Sequence, residues 1–356
     1  MVHVGGYGPH HVSRIEFAKR LKAIRDVVSD RHYQAIVALL LSPEQVPAIE
    51  RAMDGLSEED EFAVMTRLMG TASLLVPLVH SPIFGRDFTV PDFLGLFDVT
   101  LSEDGGVQPH NGLFKCLIEV KSTIREEFHF SGKALARLRF AAQQLGYPLL
   151  FAVRFVRYSD YAVWVIVRDD GESSSVRVDM RHFTTGLREH LWNDRFYVIK
   201  PGVSIGYVYS QDPETTNLAD ADFDYLERVV IRDGGKEIVA EGDDAILAGH
   251  FLQAFNLESQ ETVQQRNQLV EWFHPKSRFA TVVDMLYNLN RIIADENGDT
   301  IYNPPEILAK ADQMDELPLL ERDQIEPIAH SLVEQGILSA MSYREFESAM
   351  NGSSDS

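Results

Sequence analysis

The chain has 356 residues, enough for two or three domains, and 45% of them are hydrophobic, enough to bury real cores. A single cysteine, Cys116, excludes both a disulfide framework and a thiolate metal cluster. The net charge of −21 argues against a nucleic-acid partner only until its distribution is read: residues 1–200 carry 23 Lys+Arg against 25 Asp+Glu, and residues 201–356 carry 10 against 29. A near-neutral first part can hold a local basic groove, whereas the acidic second part repels phosphate. The opening 1-MVHVGGYGPHHV-12 lacks the apolar run of a signal peptide, and no window approaches the length of a membrane span. A cytoplasmic protein without membrane contact is expected.

In chain order, an amphipathic helix is expected from Ser13 to about Asp30, with helical character continuing to Leu41. A third short helix, 43-PEQVPAIERAMDGL-56, ends at Asp54-Gly55. Ser57, with Asp60 three residues on, reads as the N-cap of a helix running to about Leu75. After the irregular 84-FGRDFTVPDF-93 come two strands, about 92–101 and 113–121, joined by the turn-forming loop 102–112. A helix from Ser131 to Leu145, stopped by Gly146 and Pro148, leads to the strand-like runs 149-LLFAVRF-155 and 161-YAVWVIV-167. Strands at 174–180 and 203–209 flank a helix near 182–192, and a hairpin over 227–241 turns at Asp233-Gly234-Gly235. From Asp243 the pattern reads as helical, at 244–256, 258–273, 279–294, 305–315, 323–336 and 343–350, before a disordered tail, 351-NGSSDS-356. The expected organisation is an N-terminal helical segment (1–56), a mixed α/β core (57–170), an α/β extension (171–242) and an acidic, mostly helical C-terminal region (243–356).

Within the core, Glu119 and Lys121 share one face of their strand, while Ile118 and Val120 point the other way into the protein. A hairpin turning near residue 106 or 107 sets Asp92 opposite Lys121 and close to Glu119. Asp98 shares strand parity with Asp92 but lies roughly 20 Å along the strand, at about 3.3 Å per residue. Two carboxylates and an ammonium at one end of a hairpin suit a hard divalent cation, because magnesium takes one or two protein carboxylates with water and substrate phosphate. A lysine beside that ion orients or activates a water and stabilises developing phosphoryl charge. The chemistry that uses this set is phosphodiester hydrolysis.

Pro91-Asp92, a spacer, and Glu119-Val120-Lys121 resemble the signature of the PD-(D/E)xK nuclease superfamily, the fold of many restriction enzymes and Holliday junction resolvases. The resemblance covers about residues 57–170, and the local style, 117-LIEVKST-123, the helix 133–146, 147-YPLLFAVRF-155 and Trp164, is similar to archaeal-type resolvases. It implies a restriction-endonuclease-like mixed sheet with flanking helices, and a homodimer that cuts DNA with Mg2+ or Mn2+. By the same resemblance Asp92, Glu119 and the Val120 carbonyl hold the metal, and Lys121 acts on the water. Glu61 is the match for a glutamate on the first core helix, with Glu58 and Glu59 nearby. The spacer of 26 residues is longer than in minimal members, and the loop 102–112 absorbs the excess.

On the helix after the motif, Lys133, Arg137 and Gln144 fall within about 40° of one another, opposite Leu135, Leu138 and Leu145. That stripe reads either as a solvated face or as a DNA-facing one. Gln143 and Tyr147 match a QxxxY pattern of some exonuclease-like members. His129 near the site reads as a surface histidine, and His182, His190, His250 and His274 lack metal-ligand spacing. Two alternatives stay open beside a magnesium-dependent endodeoxyribonuclease. One is a non-catalytic nucleic-acid- or protein-binding scaffold that keeps the nuclease fold, whereas in the endonuclease reading the acidic C-terminal region regulates the enzyme or binds a protein partner. The other is an RNA-cleaving nuclease.

Overall fold

The computed structural model of the chain describes residues 14–25, 28–78, 89–98, 100–101, 107–108, 113–158, 161–210, 225–265, 267–292, 302–311 and 319–352. The expectations at 84–88, over most of the loop 102–112, in the polar loop 211–224 and at the end of the tail lie outside these residues. Among the described residues no helix is long and apolar enough to cross a membrane. The chain is mixed α/β and forms two compact units, one from Met1–Arg67, Thr71–Asn193 and Asn303–Leu317, the other from Leu68–Gly70, Asp194–Tyr302 and Pro318–Ser356.

The first unit opens with α1 (Arg14–Arg25), α2 (Asp30–Leu40) and α3 (Val46–Met69). Ala18, Leu21, Tyr33, Val37, Leu41, Ile49 and Met53 form one small core across the three helices. The expected break at Gly55 and the cap at Ser57 do not occur: α3 runs unbroken through both. A glycine inside a helix costs about 1 kcal/mol relative to alanine. Burial at both ends of α3 outweighs that cost, with Ile49 and Met53 in the small core and Phe62, Val64 and Met65 buried further along the helix. Lys22 of α1, almost fully buried, is ion-paired to Asp60 of α3. The helix ends at Gly70, whose φ of +66° is a left-handed exit, and not at Leu75 as expected.

After Gly70 the chain forms an unexpected edge strand, β1 (Ala72–Pro77), then β2 (Phe93–Phe97), the short β3 (Thr100–Leu101) and β4 (Val107–Gln108), and the long β5 (Phe114–Thr123). Next come β6 (Glu127–Ser131), α4 (Gly132–Leu145), β7 (Leu149–Phe155), β8 (Trp164–Arg168), β9 (Ser175–Asp179), α5 (His182–Thr185) and α6 (Arg188–Trp192). The central sheet has the order β1-β2-β5-β7-β8, antiparallel except for the β5–β7 pair, which α4 connects. The hairpin register is two residues away from the expected one: Phe93 pairs with Ile118, so Asp92 is level with Glu119 and not Lys121. The connection is asymmetric, since Thr100 pairs with Gln108 while Phe97 pairs with Phe114, so more residues lie on the β5 side of the turn.

The two faces of this sheet bury different cores. On one face Leu117, Phe151, Val153, Phe155, Val163, Val165 and Val167 meet Leu135, Leu138 and Ala142 of α4. By strand parity this is also the face of Glu119 and Lys121. On the other face Phe62 of α3 packs within 6.0 Å of the Phe93 ring and within 5.4 Å of those of Trp164 and Trp192. A Cβ on Gly95 of β2 would lie 2.6 Å from the Phe97 ring, so a side chain there would have to displace that ring.

The second unit is mixed, and among the described residues from 243 onward five of the six expected helices form. Its strands are β10 (Phe196–Ile199), β11 (Ser204–Ser210), β12 (Tyr225–Asp233), β13 (Lys236–Glu241), β14 (Leu257–Gln265), β15 (Gln268–Pro275), β16 (Phe279–Thr281) and β17 (Leu338–Met341). Its helices are α7 (Asp243–Gln253), α8 (Val282–Ile292), α10 (Arg322–Glu334) and α11 (Tyr343–Gly352), while α9 (Pro304–Ala311) belongs to the first unit. Residues 258–273, expected as helix, are β14 and β15, which extend an antiparallel sheet of order β13-β12-β11-β15-β14. The expected hairpin at 227–241 is present as β12 and β13, turning at Gly234 and Gly235, both at positive φ. The fully buried Asp194 accepts hydrogen bonds from the Tyr343 hydroxyl at 2.6 Å and the Val283 N–H at 3.2 Å, which fastens the start of α8 to α11.

Candidate active site

The site forms where β2 stops and β5 continues. Beyond Ile118, β5 has lost its β2 partner while β7 still pairs with it as far as Thr123. The backbone there needs another acceptor, and the Val120 N–H donates to Asp92 Oδ2 at 2.7 Å. Asp92 is thereby fixed at the tip of β2, with its own carbonyl accepting from Leu78 N at 2.8 Å. Its neighbour Phe93 anchors the strand in the aromatic cluster on the far face.

Glu119 and Lys121 project together, as the period of the strand requires. The Lys121 ammonium donates to Glu119 Oε1 at 2.6 Å and to the Val120 carbonyl at 2.7 Å, and lies 3.7 Å from Asp92 Oδ2. Three oxygens from two strands thus converge on one positive centre. The carboxylates are buried, at 2% exposure for the Asp92 side chain and 8% for Glu119, while the Lys121 side chain is 37% exposed. Desolvation lowers the Lys121 pKa, but the Glu119 and Asp92 charges, with Glu59 behind them, more than offset it and hold it above the usual lysine value. The group is an ammonium at neutral pH, suited to orienting water and offsetting anionic charge.

Asp92, Glu119, Val120 and Lys121 therefore come together, and Asp98 does not: it accepts from Ser73 Oγ at 2.7 Å at the other end of β2. Glu61 also stands apart from them. Its Oε1 accepts from Arg154 Nε at 2.6 Å and Trp164 Nε1 at 3.0 Å, on the face of the sheet away from Lys121. The α3 carboxylate whose charge acts on Lys121 is Glu59. Sequence reasoning assigned no partner to Arg154 or Trp164. The signal was there, since a lone arginine in the apolar run 149-LLFAVRF-155 needs a buried counter-charge.

Lys133, Arg137 and Gln144 lie on the exposed surface of α4, opposite the buried Leu135, Leu138, Ala141 and Ala142. Leu145, expected on the buried side, is exposed, as is Phe140. Gln143 is exposed and Tyr147 packs against the sheet core, so they form no joint feature of the site. His129 pairs with Glu127 at 2.8 Å, and Arg177 from β9 pairs with the same carboxylate.

The donor set fits a hard cation. Among the described residues no group of three or more His, Cys, Asp or Glu side chains is placed to hold a metal ion. Asp92, Glu119 and the Val120 carbonyl offer instead two carboxylates and a backbone oxygen, an all-oxygen set of the kind magnesium accepts when water and phosphate complete its shell.

No family model matches the chain, and no curated protein matches its sequence. Among solved structures it is similar to Hjc of Archaeoglobus fulgidus, described as a Holliday junction resolvase from an archaeal hyperthermophile. The two are 17% identical over 37% of this chain and 93% of that one, with a TM-score of 0.27.

Proposed function

We propose that the chain is a divalent-metal-dependent endonuclease of the PD-(D/E)xK type, with a restriction-endonuclease-like core that hydrolyses phosphodiester bonds of DNA. The observation that supports the reading is the convergence of Asp92, Glu119 and the Val120 carbonyl on the Lys121 ammonium at the end of β5. Asp92, Glu119 and Val120 would hold Mg2+ or Mn2+. Bound there, such an ion polarises a phosphoryl oxygen and makes a water more acidic. The Val120 N–H fixes Asp92 in place before any ligand arrives. Lys121 supplies a positive charge toward a phosphate whose oxygens gain negative charge as water attacks the phosphorus. Glu59 adds negative charge on the α3 side. Glu61 has a supporting role through Arg154. A homodimer and a protein partner for the acidic second unit belong to the same proposal.

The test is incubation of the purified chain with supercoiled, linear, branched and single-stranded DNA and with RNA, in magnesium, in manganese and in EDTA. Cleavage of DNA that needs metal and stops in EDTA is expected. A protein that binds neither metal and cuts none of these substrates refutes the reading in favour of a scaffold, and cleavage of RNA alone reassigns the substrate.

Lys133, Arg137 and Gln144 on α4 form the proposed DNA-contacting stripe. Lys133→Glu with Arg137→Glu is expected to weaken binding to all DNA sequences alike. The slope of log affinity against log salt should shrink by about 0.9 for each duplex phosphate that the variant no longer neutralises. An unchanged salt slope removes α4 from the interface.

A further inference from the structure

We infer that Lys121 is a built-in competitor for the metal: its ammonium occupies the cation position of the site, and a divalent ion enters only when that side chain swings out. The inference rests on the nuclease reading above and adds to it a specific order of occupancy. One oxygen from each of the three residues assigned to the metal already faces one nitrogen, at 2.6 Å, 2.7 Å and 3.7 Å. Magnesium sits about 2.0–2.1 Å from its oxygen ligands. An ion bonded to Glu119 Oε1 and the Val120 carbonyl would therefore collide with an ammonium hydrogen-bonded to the same two atoms. It would also place two cations in contact across a poorly solvated site, where their repulsion is weakly screened.

The burial pattern supplies a way out. Asp92 and Glu119 are closed off from water, whereas the Lys121 side chain keeps more than a third of its surface exposed. The lysine can leave without the strands moving, and the carboxylates cannot. The long flexible stem lets the ammonium exchange its protein partners for water or for a substrate phosphate. A DNA phosphate arriving at the mouth of the site would draw Lys121 outward and vacate the oxygens, so substrate and metal would bind cooperatively. The same contacts give Lys121 a resting role, since its charge offsets that of two buried carboxylates.

The magnitude follows from occupancy. If the ammonium is seated in about nine molecules of ten, the apparent Kd for metal is raised about tenfold over that of the open site. The experiment titrates Mn2+ into the full chain, following the free-ion signal by electron paramagnetic resonance, with Mg2+ by calorimetry, at pH 8 and without DNA. That pH lies well above the ordinary carboxylate range. Wild type is compared with Lys121→Met, which keeps stem length, and Lys121→Gln, which keeps a hydrogen bond to the carbonyl without charge. Both variants are expected to bind Mn2+ about tenfold more tightly than wild type. Their melting temperature should also rise more on metal addition than that of wild type. Metal binding by the variants but not by wild type supports the inference further. Equal or weaker binding by folded Lys121→Met and Lys121→Gln overturns it while leaving the nuclease reading intact. Absence of binding in all three proteins overturns both.

Discussion

Glu119→Gln is expected to abolish DNA cleavage while leaving the fold in place, and to weaken metal binding in the same step. The substitution keeps size and one oxygen but removes the charge that Lys121 now offsets at 2.6 Å. Loss of groups that merely orient a metal ligand costs about 10–100-fold in affinity or activity, so loss of the ligand's own charge should cost on the order of 10³-fold. Asp92→Asn should act similarly but through two routes. Its Oδ2 also accepts the Val120 N–H, so a rotated amide would present a donor to a donor. Lys121→Met separates the effects, because cleavage should fall while metal affinity rises. Cleavage and metal titrations on all three variants check the pattern. Equal cleavage by wild type, Glu119→Gln and Lys121→Met would place the activity at another site or in a contaminant.

How much of this site is legible in the sequence depends on the range of the forces involved. Strand parity is local, so the shared face of Glu119 and Lys121 is readable from two residues of spacing. The partner of Asp92 depends on how residues divide across a loop, and nothing in 102-SEDGGVQPHNG-112 encodes that division by residue count alone. The choice between Glu59 and Glu61 is a question of helix phase. The two lie about 200° apart around α3, and only the docking of Phe62 on Trp164 and Trp192 decides which side meets the site.

The secondary-structure misreadings have the same origin. The run 72-ASLLVP-77 is equally compatible with a helix tail and an edge strand, because a short apolar run carries no period. In 257-LESQETVQQ-265 the polar residues suit a solvated helix face. They suit the outer strand of a sheet as well, and pairing with β15 settles the matter. By contrast the α4 boundary, with Gly146 at φ +73°, is legible in the sequence because a left-handed exit is a property of the residue itself.

Arg154→Met is expected to destabilise the first unit by about 3–5 kcal/mol, the cost of leaving one partner of a buried ion pair uncompensated. Arg154 is nearly fully buried in β7, and its guanidinium donates to Glu61 Oε1 at 2.6 Å and to the Tyr161 carbonyl at 2.8 Å. Removing it strands a carboxylate beneath the sheet, with the Trp164 N–H as a remaining donor. Adding Glu61→Gln should recover most of the loss, because the amide oxygen still accepts from Trp164 and no charge remains. The double variant tests whether the pair stabilises through its coupling or through packing alone. Hydrogen exchange followed by mass spectrometry, on peptides from α3 and β7, assigns the effect to this unit and avoids treating a two-unit chain as two-state. Protection in α3 and β7 unchanged by Arg154→Met would show that the pair contributes nothing to holding the helix. The pair also connects to the site, since Glu59 lies two residues before Glu61 on the same helix. Loosening α3 should therefore move the Glu59 charge relative to Lys121, and the single variant should change metal affinity where the double variant does not. Equal metal affinity in both would uncouple the far face of the sheet from the chemistry proposed on the near one.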